Sequence, residues 1–342
     1  MRPLVEIKGI SKSFKISRGL FARKEVADVI AVDDVSFDIH QGETLGCVGG
    51  SGCGKSTLGR MILRLLEPDT GEVWFNGELL TAMSNKQFRP FRHEMQIVFQ
   101  DPLLSLNPRR TVAENISRPL LNFGSERHAA RTRSEELLEL VGLDPTHAER
   151  YPHEFSGGQC QRIAIARAMA LNPRFLFLDE PVSSLDVSVQ AQILNLLLEL
   201  QEKLGITYLF VSHDLKLVKH FADRIMVMYR GQIVEIGESE DVYRTPKHPF
   251  TENFLKTVLH TSGDADWHTA ALRAEDLEDP NLARVTTTAD KHPGCIYSSA
   301  CTERFERCQS VAPKLRALDE HHYVACHLYD PKIRPERAFA ER

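Results

Sequence analysis

The sequence contains no long hydrophobic run, and this lack excludes several classes of protein. No stretch approaches the ~18 uninterrupted apolar residues of a membrane-spanning helix. The first residues, MRPLVEIK, also lack the apolar core of a secretion signal. We therefore expect a cytoplasmic protein. Only seven of the 342 residues are cysteine, and in the cytoplasm these are expected to be free thiols or metal ligands, because disulfides rarely persist there.

A large excess of charge is also missing. The chain carries 42 Lys and Arg against 47 Asp and Glu, for a net charge of −5, so its overall charge gives no reason to expect a nucleic-acid partner. Its length suits about two domains, and its sequence shows no internal repeat. Composition therefore excludes several classes of protein but indicates no particular function, and the motifs carry the functional information.

Residues 49–57 read GGSGCGKST and lie between two patterned segments. ETLGCV (43–48) is an apolar run of strand length, and LGRMILRLL (58–66) has apolar residues at helical spacing. The loop fits G-x-x-x-x-G-K-[ST], in which backbone N–H groups wrap a phosphate chain at a helix N-terminus. Lys55 would reach the outer phosphates, and the Ser56 hydroxyl would take a Mg²⁺ coordination position. The loop residues expected to contact the nucleotide are Gly49, Ser51, Gly52, Cys53, Gly54, Lys55, Ser56 and Thr57.

Strand-length apolar runs recur along the chain. RFLFLDE (174–180) and ITYLFVSH (206–213) are nearly all apolar, as in central parallel strands that are covered on both faces. SVQAQILNLLLELQEKLG (188–205) fits a covering helix that ends at its final glycine, and residues 224–238 fit a hairpin that turns at Arg230-Gly231. Residues 102 to about 165 contain mainly helical patterns between two strands. The sequence therefore predicts an α/β domain with an inserted helical subdomain.

The two ends of the chain differ in character. VEIKGISKSF (5–14) and VSFDI (35–39) alternate like strands with one solvent-exposed face. Residues 261–294 are acidic and poor in large apolar side chains, which favours a loose linker. Residues 295–342 are cysteine-rich. We therefore expect a main domain over residues 1–260, a linker, and a C-terminal extension.

A second phosphate-binding pattern lies in EFSGGQCQRIAIARA (154–168). Its SGGQ residues stand at a predicted helix start, where N–H groups bind anions. These residues are Ser156, Gly157, Gly158 and Gln159. One nucleotide on one subunit does not need two such helix starts, so the second is expected to close on a nucleotide held by a partner subunit.

These motifs, in this order, resemble those of the ATP-binding subunits of ABC transporters, in which SGGQ is the signature. The resemblance runs from about residue 4 to residue 260. It implies a P-loop ABC ATPase fold with a mixed central sheet, an antiparallel β subdomain and the inserted helical subdomain. It also implies that ATP and Mg²⁺ are bound and that two nucleotides are sandwiched between facing subunits.

The resemblance assigns roles to residues outside the P-loop. FLFLDEP (175–181) resembles the Walker B strand, which makes Asp179 a Mg²⁺ ligand and Glu180 the residue that polarises the attacking water. Gln100 matches the Q-loop glutamine that touches Mg²⁺ and senses the membrane subunit. His213 matches the switch histidine that contacts the γ-phosphate. Outside these motifs, Asp186 ends SSLD, which matches the D-loop of the dimer interface, and Phe14 is placed like the aromatic that stacks on adenine.

Finer motifs narrow the resemblance to one group of importers. QDPLLSLNPR (100–109), YPHEFSGGQ (151–159), DEPVSSLDVSVQ (179–190) and KHPFT (247–251) resemble the ATPases of bacterial oligopeptide, dipeptide and nickel importers. The basic segment FKISRGLFARKEV (14–26) resembles the second of the two ATPases that such systems encode. The implied partners are another ATP-binding subunit in a heterodimer, two permease subunits and, indirectly, an external solute-binding protein, but no nucleic acid. The implied location is the cytoplasmic face of the bacterial inner membrane.

The protein class and the solute each have an alternative at this point, and two residues depart from the family pattern. A soluble ABC ATPase of DNA repair or translation is the alternative class, although it would carry two cassettes or a coiled-coil or zinc insertion. Nickel is the alternative solute. Cys160 stands where the family usually has arginine, which is expected to remove a positive charge near the partner's phosphate site. Gly50 stands where glutamate or proline is common and is expected to make the loop more flexible.

The C-terminal cysteines indicate a metal site. Cys295, Cys301, Cys308 and Cys326 lie within 32 residues, at gaps of five, six and seventeen residues. Zinc sites usually show tighter pairs, and His321, His322 and His327 could substitute as ligands, so spacing alone leaves the metal open. GCIYSSACTERFERC followed by VACH resembles the C-terminal cysteine motif of peptide-importer ATPases, some of which hold a [4Fe–4S] cluster. The resemblance favours a cluster, with zinc as the alternative.

Overall fold

The structure, a computed structural model, describes residues 2–18, 25–260 and 293–333. The predicted linker at 261–294 therefore lies almost entirely outside the described residues. The chain divides into two compact units. The first unit comprises Met1–Leu4, Ile39–Thr44 and Ala82–Val211, and the second unit comprises Val5–Asp38, Leu45–Thr81 and Ser212–Arg342.

The described strands and helices are numbered in chain order. The strands are β1 (Val5–Arg18), β2 (Glu25–Ile39), β3 (Thr44–Val48), β4 (Thr70–Phe75), β5 (Glu78–Leu79), β6 (Met95–Val98), β7 (Phe175–Asp179), β8 (Thr207–Val211), β9 (Arg224–Tyr229), β10 (Gln232–Glu238), β11 (Arg316–Ala317) and β12 (Tyr323–Val324). The helices are α1 (Lys55–Ile62), α2 (Asn85–Phe88), α3 (Phe91–Glu94), α4 (Pro102–Ser105), α5 (Val112–Asn122), α6 (Arg127–Leu140), α7 (Gly157–Met169), α8 (Val187–Leu204), α9 (Leu215–Phe221), α10 (Ser239–Arg244), α11 (Pro249–His260) and α12 (Glu306–Ser310). Short 3₁₀ turns cover Leu80–Ala82, Pro145–Glu149, Pro152–Glu154 and His327–Tyr329.

The first unit is built on three parallel strands in the order β8-β7-β6. Every residue of β7 and β8 is buried, as expected for central strands covered on both faces. Residues 99–174, all of them described, contain only helices, 3₁₀ turns and loops between β6 and β7. These helices pack on one another through α5, α6 and α7. The parallel strands therefore end at one edge, where Gln100 follows β6 and Asp179 ends β7.

Helix α8 follows its sequence pattern closely. Asp186 caps its N-terminus by accepting a hydrogen bond from the Val189 N–H, and the helix ends at Gly205 with a left-handed φ of 66°. Its apolar stripe, which includes Ile193, is buried. The predicted helix at 188–205 is thus confirmed with a start one residue earlier.

The second unit contains two sheets. One is an antiparallel sheet in the order β2-β1-β4-β5. The other runs β11-β12-β10-β9-β3 and is mixed, because β3 and β9 are parallel while the other pairs are antiparallel. The β9–β10 hairpin turns at Arg230 and Gly231, which both have positive φ, at 46° and 84°. The predicted hairpin at 224–238 is therefore confirmed.

The N-terminal strands are longer than predicted. Strand β1 extends to residue 18 and β2 begins at residue 25, whereas alternation predicted only 5–14 and 35–39. The added residues show no strict alternation of apolar and polar side chains, so the pattern did not reach them. In the described part of the chain, no helix has the length and apolar character to cross a membrane.

Candidate nucleotide-binding site

The P-loop joins β3 to α1 in the second unit. Gly49, Gly52 and Gly54 have positive φ angles of 152°, 73° and 108°. A Cβ on Gly49 would lie 2.2 Å from the Met228 carbonyl oxygen, and one on Gly54 would lie 2.1 Å from that of Ala31. Any other residue would therefore clash with backbone at either position. The glycines shape a loop whose N–H groups surround the start of an eight-residue helix.

Lys55 lies buried over this loop. Its Nζ donates to the carbonyl oxygens of Gly49 at 2.8 Å and Gly50 at 3.0 Å. Burial raises the pKa of the neighbouring Cys53 thiol, and the Lys55 ammonium opposes this rise only in part. The loop thus holds a buried ammonium at the position predicted to reach the phosphates, and the thiol beside it remains protonated at neutral pH.

The β9–β10 hairpin supports the P-loop from one side. The Gly231 N–H donates to the Cys53 carbonyl at 2.9 Å. The Cys53 N–H in turn reaches the Gly50 carbonyl at 3.3 Å, so residue 50 takes part in a closed turn. Ser56 and Thr57 follow in the first turn of α1 and are half-buried. The hydroxyl predicted to bind Mg²⁺ thus stands directly after the phosphate loop.

His213 and Phe14 also belong to the second unit. The Ser212 N–H donates to the Cys47 carbonyl at 3.2 Å, which ties the residue before His213 to the end of β3. His213 is exposed. Phe14 lies on β1 with 37% of its surface exposed, and the Lys12 ammonium lies 5.9 Å from its ring centroid. An exposed aromatic on a strand is suited to stacking on a planar ligand.

Carboxylates gather at the end of β7 in the first unit. Asp179 is the last residue of β7 and is buried. Glu180 follows with a left-handed φ of 49°, and its N–H donates to the Val211 carbonyl at 3.1 Å. The Glu180 Oε2 accepts a hydrogen bond of 3.1 Å from Nε2 of Gln100. The structure therefore brings together Glu180 and Gln100, which the sequence assigned separately.

The signature residues form the start of α7. Ser156 and Gln159 make a capping box, in which each side chain bonds the other's backbone N–H. Ser156 and Gly157 are exposed, while Gly158 is buried. A Cβ on Gly158 would lie 2.4 Å from Cγ1 of Val189, the residue whose N–H Asp186 caps. Close contact with α8 therefore explains the second glycine, and the exposed helix start remains accessible to an anion.

Cys160 lies in the packed interior of the first unit. Its side chain is fully buried and its thiol donates to the Pro152 carbonyl at 3.3 Å. In this chain the side chain at position 160 is therefore packed against the segment that contains Pro152.

The four C-terminal cysteines line one cavity in the second unit. The cavity is bounded by His248, Pro249, Cys295, Tyr297, Ser298, Cys301, Glu303, Cys308, Cys326, His327 and Leu328. The Cys295 N–H donates to the Cys308 carbonyl at 2.8 Å, and the Ser298 N–H donates to the Cys295 carbonyl at 3.0 Å. Burial raises the pKa of Cys326 to about 12 and that of Cys295 to about 11. Within the described residues, no group of three or more His, Cys, Asp or Glu is arranged to hold a metal ion.

The candidate histidines of this segment have different surroundings. His322 is buried, and its Nε2 donates to Oε1 of Glu235 at 2.8 Å, outside the cavity. His327 lines the cavity, and its Nε2 donates to the Val311 carbonyl. His321 is exposed. Sequence reasoning missed Glu235 and His248 altogether, although His248 lies inside the KHPFT motif that it singled out.

The phosphate loop, the carboxylates at a strand end and the glycine-rich helix start define an ABC-type ATPase. The chain matches the ABC transporter family over residues 32–183 and the C-terminal region of the oligopeptide/dipeptide transporter family over residues 234–308. It belongs to the family of ATP-binding subunits of oligopeptide and dipeptide ABC transporters. The resemblance stated from the motifs is therefore confirmed.

Two similar proteins come from Bacillus subtilis (strain 168). The oligopeptide transport ATP-binding protein AppF is 45% identical over 330 residues, covering 95% of this chain and 97% of that protein. The oligopeptide transport ATP-binding protein OppF is 52% identical over 258 residues, covering 75% of this chain and 82% of that protein. Both are similar to this chain well beyond the ATPase motifs, since the first alignment covers nearly its full length.

Solved structures share the fold. The dimeric post-hydrolysis structure of the ATP-binding cassette MJ0796, bound to ADP and phosphate, has a TM-score of 0.61 at 30% identity and covers 69% of this chain and 98% of its own. The structure of cbiO1 from Clostridium perfringens, part of the ABC transporter complex cbiONQ, has a TM-score of 0.61 at 25% identity and covers 80% of this chain and 100% of its own. The predicted P-loop ABC ATPase fold, with mixed and antiparallel sheets, is confirmed.

Proposed function

We propose that this protein is the ATP-hydrolysing subunit of a membrane importer of oligopeptides or dipeptides. The observation that carries the proposal is the Gln100–Glu180 hydrogen bond at the end of β7, since it orients the carboxylate of an ABC ATPase. The relatives named as oligopeptide transport ATP-binding proteins, one of them 45% identical over nearly the whole chain, support the peptide class over nickel.

Some side chains of the nucleotide site would neutralise phosphate charge, and another would activate the attacking water. The Lys55 ammonium would offset the charge of the outer phosphates, and the α1 N–H groups would bind them. Bound magnesium would neutralise further charge, and Ser56, Asp179 and Gln100 offer the oxygen donors that it prefers. The Glu180 carboxylate would orient and polarise the attacking water. His213 would contact the γ-phosphate, and loss of that contact after hydrolysis would report the nucleotide state.

Two exposed surfaces suit protein partners. The α7 start presents Ser156 and Gly157 to solvent, which would let it close on the nucleotide of a second ATP-binding subunit, with Asp186 near the dimer interface. Helix α4 presents Leu103 and Leu104, which are 51% and 86% exposed, three and four residues after Gln100. Apolar side chains at such exposure favour a partner surface, and two permease subunits would supply it. The external solute-binding protein would act only through them.

The proposed assembly has a location and a domain plan. A subunit that docks on permeases lies peripherally on the cytoplasmic face of the inner membrane. We propose the ATPase domain over residues 1–260, with its helical subdomain at about 102–165, and a cysteine-rich extension over 295–342 joined by the intervening linker. Strand β12 pairs with β10, so the extension would continue the mixed sheet of the ATPase domain.

The extension would hold a [4Fe–4S] cluster. Four thiolates are the ligand set of such a cluster, and all four cysteines line the same cavity. Zinc is the alternative, because four thiolates suit a zinc ion as well, and the cluster is favoured by the resemblance of the cysteine motif to that of peptide-importer ATPases. Anaerobically purified protein should be brown, absorb near ~400 nm and contain about four irons per chain. Stoichiometric zinc without iron would contradict the cluster.

The function is tested by transport in reconstituted vesicles. The subunit is combined with its partner ATPase, the two permeases and the solute-binding protein encoded beside it, and ATP-dependent uptake of labelled peptides and of nickel is measured. We expect uptake of peptides but not nickel, and no uptake with Lys55→Ala. Nickel uptake without peptide uptake would reverse the solute assignment, and ATP hydrolysis indifferent to the permeases would favour a soluble ATPase.

A further inference from the structure

The KHPFT motif forms a wall of the cysteine cavity. His248 and Pro249 line the cavity together with the four cysteines, although they lie at the start of α11, in another part of the sequence. His248 is almost fully buried. The nucleotide site does not account for this motif, so its residues need a different explanation.

A buried carboxylate fixes the position of this wall. Glu235 on β10 has no exposed surface, and it accepts hydrogen bonds from the Lys247 N–H at 2.7 Å and the His248 N–H at 2.9 Å. Nε2 of His322 donates to the same carboxylate at 2.8 Å. Because His322 stands directly before β12, Glu235 joins the ATPase sheet, the His248 loop and the cysteine segment. A carboxylate with three donors tolerates burial that an unpaired one would not.

The geometry also fixes which nitrogen of His248 carries the proton. The Phe250 N–H donates to Nδ1 at 3.0 Å, so Nδ1 presents a lone pair and the neutral ring carries its proton on Nε2. Burial lowers the pKa of His248 to about 4, against the smaller opposing effect of the Glu235 carboxylate. The ring of Tyr297, itself a cavity residue, lies 5.8 Å from the His248 ring. His248 is thus a neutral N–H donor in the wall of a sulfur-lined cavity.

We propose that His248 is a positioning residue for the sulfur-ligated group in this cavity, and that its Nε2–H donates a hydrogen bond to one of the sulfurs. The proposal rests on the cluster proposed above. Hydrogen bonds to the sulfurs are among the factors that set the reduction potential of an iron–sulfur cluster, because they stabilise the more negative, reduced state. The donor should therefore make the cluster easier to reduce, and Glu235 should hold the donor in place.

The test compares reduction potentials at equal cluster content. Full-length wild type, His248→Leu, His248→Gln and His322→Gln are purified anaerobically, their iron and sulfide are measured, and each is titrated with dithionite and followed by electron paramagnetic resonance. His248→Leu removes the donor, whereas His248→Gln keeps an amide that can both accept from Phe250 and donate. His322→Gln is the matched control, since His322 contacts the same carboxylate but does not line the cavity.

We expect His248→Leu to shift the potential to more negative values, His248→Gln to restore it at least in part, and His322→Gln to match wild type. An unchanged potential in His248→Leu at the wild-type iron content would overturn the proposal. If His248→Leu loses its iron, the result for His248→Gln decides. Iron retained in His248→Gln would support a hydrogen-bond donor at this position. Iron lost from both variants would show that His248 only packs against the cavity, and would overturn the proposal. Wild type without iron and sulfide would instead refute the cluster itself, so the two failures are distinguishable.

Discussion

Gln100 and Glu180 are joined by a hydrogen bond of 3.1 Å from the glutamine Nε2 to the glutamate Oε2. Gln100 follows β6 and Glu180 follows β7, so the bond crosses between the ends of two neighbouring parallel strands. Glu180 holds a left-handed φ of 49°, a conformation that costs roughly 1–3 kcal/mol for such a residue. The hydrogen bond from the Glu180 N–H to the Val211 carbonyl offsets part of this cost, and the Gln100 amide orients the carboxylate. Because Gln100 begins the segment that contains the exposed leucines of α4, a partner bound there would act on the orientation of Glu180.

Lys55→Ala should remove ATP binding without unfolding the protein. The loop would lose its only ammonium, and charge-assisted contacts to phosphate are worth up to about 3 kcal/mol each, so the Kd for Mg-ATP should rise roughly a hundredfold or more. Calorimetric titration measures the affinity, and far-UV circular dichroism checks the fold. Wild-type affinity in the folded variant would remove Lys55 from the site.

The two signature glycines should respond differently to alanine. A Cβ on Gly158 would meet Cγ1 of Val189 at 2.4 Å, and this β-branched side chain has little freedom to move. Gly158→Ala should therefore destabilise the protein by about 1–3 kcal/mol. Gly157→Ala is the matched control, because its Cβ would meet Leu185 at an ordinary 3.5 Å. Thermal melting compares the two, and equal melting temperatures would show that the α7–α8 contact is not tight.

Cys160→Arg should harm folding rather than strengthen ATP binding. The substitution would force a charged side chain into a fully buried position next to the Pro152 carbonyl, and a buried charge without a partner is costly. We expect a lower yield of soluble protein and a lower melting temperature, while Cys160→Ala should stay close to wild type. A soluble arginine variant with raised ATP turnover would mean that position 160 faces a phosphate after all.

Glu235→Gln should loosen the C-terminal segment. The amide keeps one acceptor oxygen but replaces the other with a donor that opposes an N–H, so a buried hydrogen bond worth about 1–3 kcal/mol is lost. Limited proteolysis should cut the variant after residue 292 faster than wild type. Glu238→Gln, an exposed carboxylate at the end of the same strand, is the control. Equal cleavage of both variants would show that Glu235 does not secure this segment.

Local patterns were sufficient to predict the features whose signals lie within one element. The P-loop, helix α8 with its glycine end and the β9–β10 hairpin could all be read from periodicity and turn residues. The lengths of β1 and β2 could not, because the residues that extend these strands show no strict apolar alternation. The burial of Cys160 was also missed, since family comparison gives the usual residue at a position but not the direction in which this side chain points.

Contacts between distant segments were beyond sequence reasoning. Glu235, His248 and His322 are single polar residues in unrelated segments, and each alone resembles a surface residue. These buried polar groups find hydrogen-bond partners only because the fold brings three segments together, and no local sequence pattern encodes such a meeting. The gathering of the four cysteines was suggested by their density in the sequence, but the residues that complete the cavity around them follow from the fold.

ATP turnover by Glu180→Gln in the complete importer tests the account most directly. The amide keeps the size of the carboxylate but is a far weaker base, so turnover should fall by about 10²–10⁴-fold. ATP binding should be preserved, and the subunits should remain trapped as an ATP-bound dimer. The measurement is peptide-stimulated phosphate release by the reconstituted complex, with parallel ATP-binding and size measurements. Turnover near the wild-type rate, with ATP bound normally, would contradict the assignment of Glu180 as the residue that activates water.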